Sequence, residues 1–389
     1  MVNRKQKVLI SCSAAKSLLK FRGKLIEELL KENTVYVFTP VVQDPKLRTT
    51  LQDMGLIIHE NTLNRNNISI VSDLRYILSL AKVIRKVNPD VFFAYTFKPV
   101  IFGSVVASLL NVKTKTAMLT GLGYNFADTG KSFAKSITQT LLKYSLKFNR
   151  NLKIIFQNED DLQELRSRNI IDGRSETYVV NGSGVDLSFY QYSEPNINPV
   201  RFLLISRLIK AKGVEEFLEA AKIIHQKYPE VRFSVVGSFD DKQIDSINHD
   251  LFKEITTSNF IDFTGWVEDV RPFIEESSVV VLPSYREGTP RSILEGMSMG
   301  RAVITTDTAG CRQTVNSNPE LTNGRLIKVK SSADIVSAME YFILNPKEII
   351  RLGLNGRAYA EEKYDVDKVN KDMLQILLCA DQPSPVLSY

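Results

Sequence analysis

Pro283-Ser284-Tyr285-Arg286-Glu287-Gly288-Thr289-Pro290-Arg291-Ser292-Ile293-Leu294-Glu295 follows a four-residue aliphatic run, Val279 to Leu282, and leads into a segment that stops at Gly300 before a second aliphatic run, Ala302 to Thr305. Short uninterrupted apolar runs bounded by turn residues read as buried strands. Pro290 stands where a first helical position belongs, and Gly300 is a helix stop. The segment is therefore strand, loop, helix and returning strand. The first helical turn offers backbone N–H groups from about Arg291 onward, which attract phosphate through unpaired donors and the helix dipole, and Gly288 lets a ligand approach the main chain. Glu287 and Glu295 flank that turn. A carboxylate accepts hydrogen bonds from vicinal hydroxyls, so one can hold a sugar ring and the other a ribose with phosphates between them. On this reading Pro283 to Thr308 binds a nucleotide sugar. A plain capped helix with two incidental glutamates fits the spacing as well.

The same rhythm runs outward in both directions. Upstream strands are expected at Lys7 to Ser11, Thr34 to Phe38, Val91 to Ala94, Lys115 to Leu119, Lys153 to Phe156 and Thr177 to Val180, with helices at Gly23 to Lys31, Leu74 to Lys86 and Phe133 to Phe148. A second series comprises Arg201 to Ser206, Arg232 to Val236, Ile261 to Phe263, Val279 to Leu282, Ala302 to Thr305 and Gly324 to Lys328, with a helix at Gly213 to Lys227. Strands alternating with helices predict parallel sheets. Asn181 to Pro199 holds Gly182, Gly184, Pro195 and Pro199 and little periodicity, so it separates two doubly wound α/β domains. Their boundaries are 1–183 and 184–365, with a last helix at about 366–380 packing back on the first domain. Ligands of such sheets bind beyond the carboxyl ends of the strands, so the two domains are expected to face one another across a ligand cleft.

Composition narrows the function classes. The chain has 389 residues, too many for one ordinary core, and is 43% hydrophobic, as a globular protein is. Its longest nearly uncharged apolar run, Val100 to Val112, is far shorter than the roughly 20 residues of a spanning helix. Only Val8 to Ile10 follow the basic start Arg4, Lys5 and Lys7, too short an apolar stretch for a signal peptide. Cys12, Cys311 and Cys379 are widely spaced and lack the pattern of a metal or disulfide framework, so all three are expected to be buried thiols in a reducing cytoplasm. Residues 1–195 carry 27 Lys and Arg against 17 Asp and Glu, whereas the remainder carries 23 against 27. The basic half suggests an anionic partner, or else a solvated surface without one. No zinc-finger spacing, aromatic RNA-binding strand or long basic run points to nucleic acid.

Other residues become legible beside the opening segment. Glu287 and Glu295, with seven residues between them, around a Glu-Gly-Thr-Pro-Arg-Ser loop and followed by Arg301-Ala302-Val303-Ile304-Thr305-Thr306-Asp307, strongly resemble glycosyltransferase family 4 of the GT-B fold. Ser206-Arg207-Leu208 with Lys212-Gly213-Val214 looks like that family's cationic pair for the donor diphosphate. Val236-Gly237 and Thr264-Gly265-Trp266-Val267-Glu268 are similar to its nucleotide-base loops. In the amino-terminal half, Tyr95-Thr96-Phe97-Lys98-Pro99, Thr120-Gly121-Leu122-Gly123-Tyr124 and Phe21-Arg22 resemble the subgroup that extends polyprenyl-diphosphate-linked sugars in bacterial O-antigen, capsule or protein-glycan assembly. The resemblance spans nearly the whole chain. It departs from the family at Ser13 to Lys16, where a glycine-rich loop is usual, and in the lack of an amino-domain histidine; His59, His225 and His249 offer no obvious base.

The resemblance implies two Rossmann-like domains and a retaining, UDP-sugar-dependent transferase acting on a lipid-linked (undecaprenyl-diphosphate) saccharide. Glu287, Arg207 and Lys212 would be catalytic. Glu295, Gly288, Thr289, Pro290, Arg291, Gly237, Trp266 and Val267 would bind the donor, and Lys98, Thr120, Gly121, Gly123 and Arg22 would meet the acceptor or its phosphates. Two cations suit the charge that builds on a departing diphosphate, so neither metal nor cofactor is expected. Glu159-Asp160-Asp161 and Asp365-Val366-Asp367 read as helix starts rather than metal ligands. The segment 131–150 has five basic residues, no acid and interleaved apolar residues. It can lie on an anionic membrane or pack on the sheet, and a lipid-borne acceptor favours the membrane. The expected location is the cytoplasm, peripherally on the inner face of the cytoplasmic membrane. A GT-B nucleotide-sugar epimerase and a non-catalytic nucleotide-sugar binder are the competing readings. A nicotinamide dehydrogenase would need Gly-x-Gly-x-x-Gly where the chain has Ser11 to Lys16.

Overall fold

Runs without a polar side must be buried on both faces, and they supply the middle of the first sheet. Val91–Tyr95, Thr114–Leu119 and Leu152–Phe156 are buried at every position. The computed structural model describes residues 4–63, 70–126, 133–149, 151–173, 175–241 and 245–379. The chain forms two units, Met1–Ser183 with Asp367–Tyr389, and Gly184–Val366.

In the first unit the strands are β1 (Gln6–Ser11), β2 (Asn33–Pro40), β3 (Ile57–Asn61), β4 (Val91–Tyr95), β5 (Thr114–Leu119), β6 (Leu152–Phe156) and β7 (Glu176–Val179). All pair in parallel, in the order β3-β2-β1-β4-β5-β6-β7. The helices are α1 (Lys16–Glu32), α2 (Pro45–Asp53), α3 (Ile70–Val87), α4 (Ser104–Leu109), α5 (Phe133–Phe148) and α6 (Glu159–Ser167). One sheet face is covered by α3 to α6 through residues such as Leu80, Val106, Leu142 and Leu165. The other is covered by α1 and α2 through Leu25, Leu29 and Leu51, together with Val369, Met373 and Leu377 of the last helix.

The second unit repeats the design with β8 (Arg201–Ile205), β9 (Arg232–Val236), β10 (Ile261–Gly265), β11 (Val279–Leu282), β12 (Ala302–Thr306) and β13 (Gly324–Ile327). Their order is β10-β9-β8-β11-β12-β13, again all parallel. Its helices are α7 (Val214–Lys227), α8 (His249–Thr257), α9 (Arg271–Glu275), α10 (Arg291–Ser298), α11 (Ser332–Leu344) and α12 (Pro346–Tyr359). The chain then returns as α13 (Val366–Leu378) to pack in the first unit. Buried Lys153 of β6 donates from Nζ to the carbonyls of Ile376 and Cys379 at 3.0 and 2.6 Å. It thus satisfies acceptors that the end of α13 leaves open and places a cation at the negative pole of that helix.

Several sequence-based expectations change. β3 was missed because Ile57-Ile58-His59-Glu60-Asn61 is half polar and mostly unburied; its pairing with β2, not its own pattern, defines it. Pro290 is the N-cap of α10, one residue before the position expected. α1 begins at Lys16, so Phe21 and Arg22 lie inside the helix rather than opening it. Cys12 and Cys311 are buried, but Cys379 is exposed, beyond the end of α13. Lys135, one of the five basic residues of 131–150, is buried, while Lys131 and Arg150 lie outside the described residues. Among the described residues no helix is long and apolar enough to cross a membrane.

Among the described residues Arg301 is the largest fully buried side chain, and it ties the start of β12 to the Ser193 and Ile274 segments of the second unit. Its guanidinium donates to the Ile274 carbonyl at 2.7 Å, the Ser193 carbonyl at 2.9 Å and Ser193 Oγ at 2.5 Å. Burial without a carboxylate among those acceptors lowers its pKa to about 10. Arg301→Met removes every donor and strands neutral acceptors in the interior, at a cost of about 1–3 kcal/mol for each group left unsatisfied. Thermal denaturation should show the melting temperature falling by roughly 10 °C for a unit of this size. Arg301→Lys should rescue little, because an ammonium cannot reproduce the planar fork. A melting point unchanged in the Met variant would contradict this account.

Candidate functional site

The second sheet reverses direction between β8 and β11, and ligands bind at such a switch point. Arg207 follows β8 and is exposed, and the Pro283 to Glu287 loop follows β11. Two neighbouring loops grip that segment through the main chain. On one side, Tyr285 N–H donates to the Ala211 carbonyl at 2.9 Å and Ser284 Oγ to the same oxygen at 3.1 Å. Gly213 has φ +69°, and a Cβ there would lie 2.2 Å from the Pro283 carbonyl oxygen, so no other residue fits. On the other side, Glu287 N–H donates to the Ala309 carbonyl at 3.2 Å, and Thr306 Oγ1 bonds the Ser284 carbonyl.

Held in this way, Glu287 forms an ion pair with Lys212, both side chains being mostly buried. The carboxylate read as a sugar ligand and the ammonium read as a phosphate ligand are thus adjacent. They neutralise one another without a ligand and present donors and acceptors at one point.

Glu295, in the second turn of α10, is buried. Its Oε1 accepts from Arg291 Nε at 2.7 Å and from Tyr190 OH at 2.9 Å, and burial together with Glu295 raises the pKa of that phenol. The ribose carboxylate of the sequence reading therefore already carries two protein donors on one oxygen. Tyr190 was missed. It lies in the aperiodic stretch Ser188-Phe189-Tyr190-Gln191-Tyr192, where nothing local marks it. Pro290 gives α10 no side-chain cap, so this helix start is not closed by its own N-cap residue.

The remaining donor-side residues occupy adjoining loops. Gly237 is a packing requirement, since a Cβ would sit 1.6 Å from the Ser206 carbonyl oxygen, and its N–H donates to Gly265 O at 2.9 Å. Trp266 is 66% exposed, and Val267 is partly buried against the core. Gly288 is buried beside half-buried Thr289.

In the first unit the switch point lies between β1 and β4. Thr96 stands there with φ +72°, a region that strains a β-branched residue, and its Oγ1 donates to Ser13 Oγ at 2.8 Å. Lys98 pairs with Asp73 of α3 at 2.7 Å, both side chains being less than 15% exposed. Thr120, Gly121 and Gly123 follow β5, and the loop is pinned where Leu122 N–H donates to buried Asp161 at 3.2 Å. Asn158 caps α6 by accepting from the Asp161 N–H and donates its amide to the Asp161 carboxylate, so the acidic run read only as a helix start also supports this loop. Arg22 is buried rather than presented at a surface; it donates to Met118 Sδ at 2.9 Å and lies over the Tyr95 ring. Among the described residues, no group of three or more His, Cys, Asp or Glu can hold a metal ion.

Residues 199–345 match the family model described as glycosyl transferases group 1, and residues 7–158 match that described as glycosyl transferase 4-like. The chain is 26% identical to the N,N'-diacetylbacillosaminyl-diphospho-undecaprenol alpha-1,3-N-acetylgalactosaminyltransferase of Campylobacter jejuni, over 93% of this chain and 96% of that one. It is also 26% identical to the UDP-Gal:alpha-D-GlcNAc-diphosphoundecaprenol alpha-1,3-galactosyltransferase of Escherichia coli, over 63% of this chain and 64% of that one. The crystal structure of Anabaena HepE in complex with UDP and glucose superposes with a TM-score of 0.74 at 18% identity, covering 95% of this chain and 98% of that one. That likeness identifies the fold.

Proposed function

Because this chain belongs to the glycosyltransferases of the GT-B fold, with a group 1 carboxyl-terminal half and a 4-like amino-terminal half, we propose that it moves a hexose or N-acetylhexosamine from a UDP-sugar to a lipid-linked saccharide. The acceptor is an undecaprenyl-diphosphate sugar in the assembly of bacterial surface polysaccharide or glycan, and the configuration of the donor is retained. The observation that carries this reading is the Glu287–Lys212 pair held at the switch point of the second sheet. Similarity over nearly full length to a transferase named for a diphospho-undecaprenol acceptor supports the acceptor class. UDP as the nucleotude carrier is supported by the donor in the name of the E. coli relative.

In this scheme Glu287 accepts hydrogen bonds from donor hydroxyls while Lys212 and Arg207 stabilise the charge that develops on the departing diphosphate. With those cations in place no metal is required. The leaving phosphate oxygen takes the proton of the attacking acceptor hydroxyl on the same face of the sugar, so retention needs no separate histidine base. Lys98 and the Thr120 to Gly123 loop meet the acceptor diphosphate.

The test is a panel of UDP-sugars incubated with a synthetic polyprenyl-diphosphate saccharide, following UDP release and the anomeric configuration of the product. UDP should appear only with acceptor present, the product should keep the donor configuration, and exhaustive chelation should leave the rate unchanged. Turnover of UDP-sugar without acceptor would point to an epimerase or hydrolase. Loss of transfer on chelation would remove metal independence, and an inverted product would remove the same-face mechanism.

A further inference from the structure

Helix α3 is apolar on two sides. Its inner side gives Tyr76, Leu80, Ile84 and Val87 to the core. Its outer side carries Ile70, Val71, Leu74 and Leu78, which are between 53% and 82% exposed. An amphipathic surface helix has no reason to place four aliphatic side chains in water, so this side is built for a partner. α3 packs beside α4, and α4 beside α5, and these neighbours continue the feature with exposed Leu109, Leu141, Tyr144 and Phe148.

Charge on these three helices is one-sided. Arg75, Lys82, Arg85 and Lys86 of α3 and Lys147 of α5 are exposed, whereas the only acid in α3, α4 or α5 is Asp73, buried against Lys98. The helices on the opposite face of that sheet mix both signs instead, Lys24, Lys31, Lys46 and Lys368 standing beside Glu27, Glu28, Asp53 and Asp367. Four exposed cations and no exposed acid therefore share α3 itself with the exposed aliphatics.

We propose that the outer face of α3, continued by α4 and α5, docks on an anionic lipid bilayer, with Ile70, Val71, Leu74 and Leu78 entering the headgroup layer. This deepens the reading of a lipid-borne acceptor by assigning the surface that meets the lipid. A crossover helix in a parallel sheet starts at the carboxyl edge of the strands, so Ile70 to Leu78 form the end of α3 nearest Thr96 and Lys98. The Asp73–Lys98 pair fixes that end to the loop after β4. A second copy of the chain is a poorer occupant, because two such faces would oppose like charges across the interface. Nucleic acid offers nothing for the aliphatic stripe. The sequence directed attention to 131–150; the structure moves the inserting element to α3 and leaves α5 as its flank.

The experiment is co-sedimentation of the full chain with phosphatidylcholine vesicles, with and without phosphatidylglycerol. Wild-type protein should pellet with the anionic vesicles in a salt-sensitive way. Leu74→Glu/Leu78→Glu should lower its partition about ten-fold or more, since it removes buried apolar surface and adds repelled charge. The milder Leu74→Ser/Leu78→Ser pair guards against misfolding, and both should melt like wild type. Replacing Arg75, Lys82, Arg85 and Lys86 by Gln should abolish the preference for anionic lipid. Undiminished vesicle binding by the Glu pair would overturn the assignment. So would a solution dimer that the Glu pair splits, since the occupant would then be a second copy. If no acceptor supports transfer yet the Glu pair still loses vesicle binding, the docking surface stands and the acceptor reading fails.

Discussion

Glu287→Ala is expected to reduce kcat/KM by about 10³-fold, the scale seen when one preorganised polar group of a transition-state site is lost. The carboxylate stands at the switch point, held by main-chain bonds from two loops and paired with Lys212. Its removal takes away the acceptor for donor hydroxyls and leaves the ammonium without its counter-charge. The fold should survive: loss of one charge-assisted hydrogen bond costs about 1.5–3 kcal/mol, or a few degrees of melting temperature at this unit size. A bland explanation is that Glu287 serves only to neutralise Lys212. The double variant Glu287→Gln/Lys212→Met separates the two. If neutralisation were the whole role, removing both charges would restore much of the activity. If each group touches the donor, the double variant should be no better than the worse single one, with the coupling read from the cycle. Near-normal turnover by Glu287→Ala would refute the assignment outright.

The parts of this molecule legible in the sequence are those whose signal is local. The buried strands Val279–Leu282 and Ala302–Thr306 are continuous aliphatic runs, and Pro290 and Gly300 bracket the helix between them, so strand, loop and helix could be placed by elementary patterning. Gly213 was read as the first residue of a helix; it is the residue before it, and its reason was not visible locally, because the Pro283 carbonyl occupies the space of a side chain. Illegible features depend on distant partners. β3 is a strand because β2 pairs with it, Tyr190 matters because it reaches Glu295 across 105 residues, and Asp73 matters because it meets Lys98. Arg22 shows the opposite failure. A cation beside a phenylalanine near the first loop invites a surface role, but the packing of α1 turns it into the core.

Gly310→Ala should damage transfer without touching a single ligand-binding side chain. Gly310 has φ +75°, and a Cβ there would lie 2.3 Å from the Gly288 carbonyl oxygen and 2.4 Å from that of Glu287. These neighbours are main chain, so they cannot rotate away, and the loop carrying Glu287 has to move as a body. Two costs follow. An L side chain in the left-handed region costs roughly 1–2 kcal/mol, which at this size lowers the melting temperature by about 5 °C. Displacement of Glu287 by about 1 Å is worth on the order of 10²-fold in rate, because positioning rather than binding is lost. The two costs can be separated with Gly55→Ala. Gly55 has φ +95° and only the Leu30 Cδ2 methyl at 3.8 Å, in the other unit. That variant carries backbone strain without displacing a loop, so it should lose stability and keep transfer. If Gly310→Ala lost only as much activity as Gly55→Ala, the Ala309–Gly310 turn would not be what positions Glu287. A loss of about 10²-fold with the fold retained would place the turn among the elements of the site, although it presents no functional group of its own.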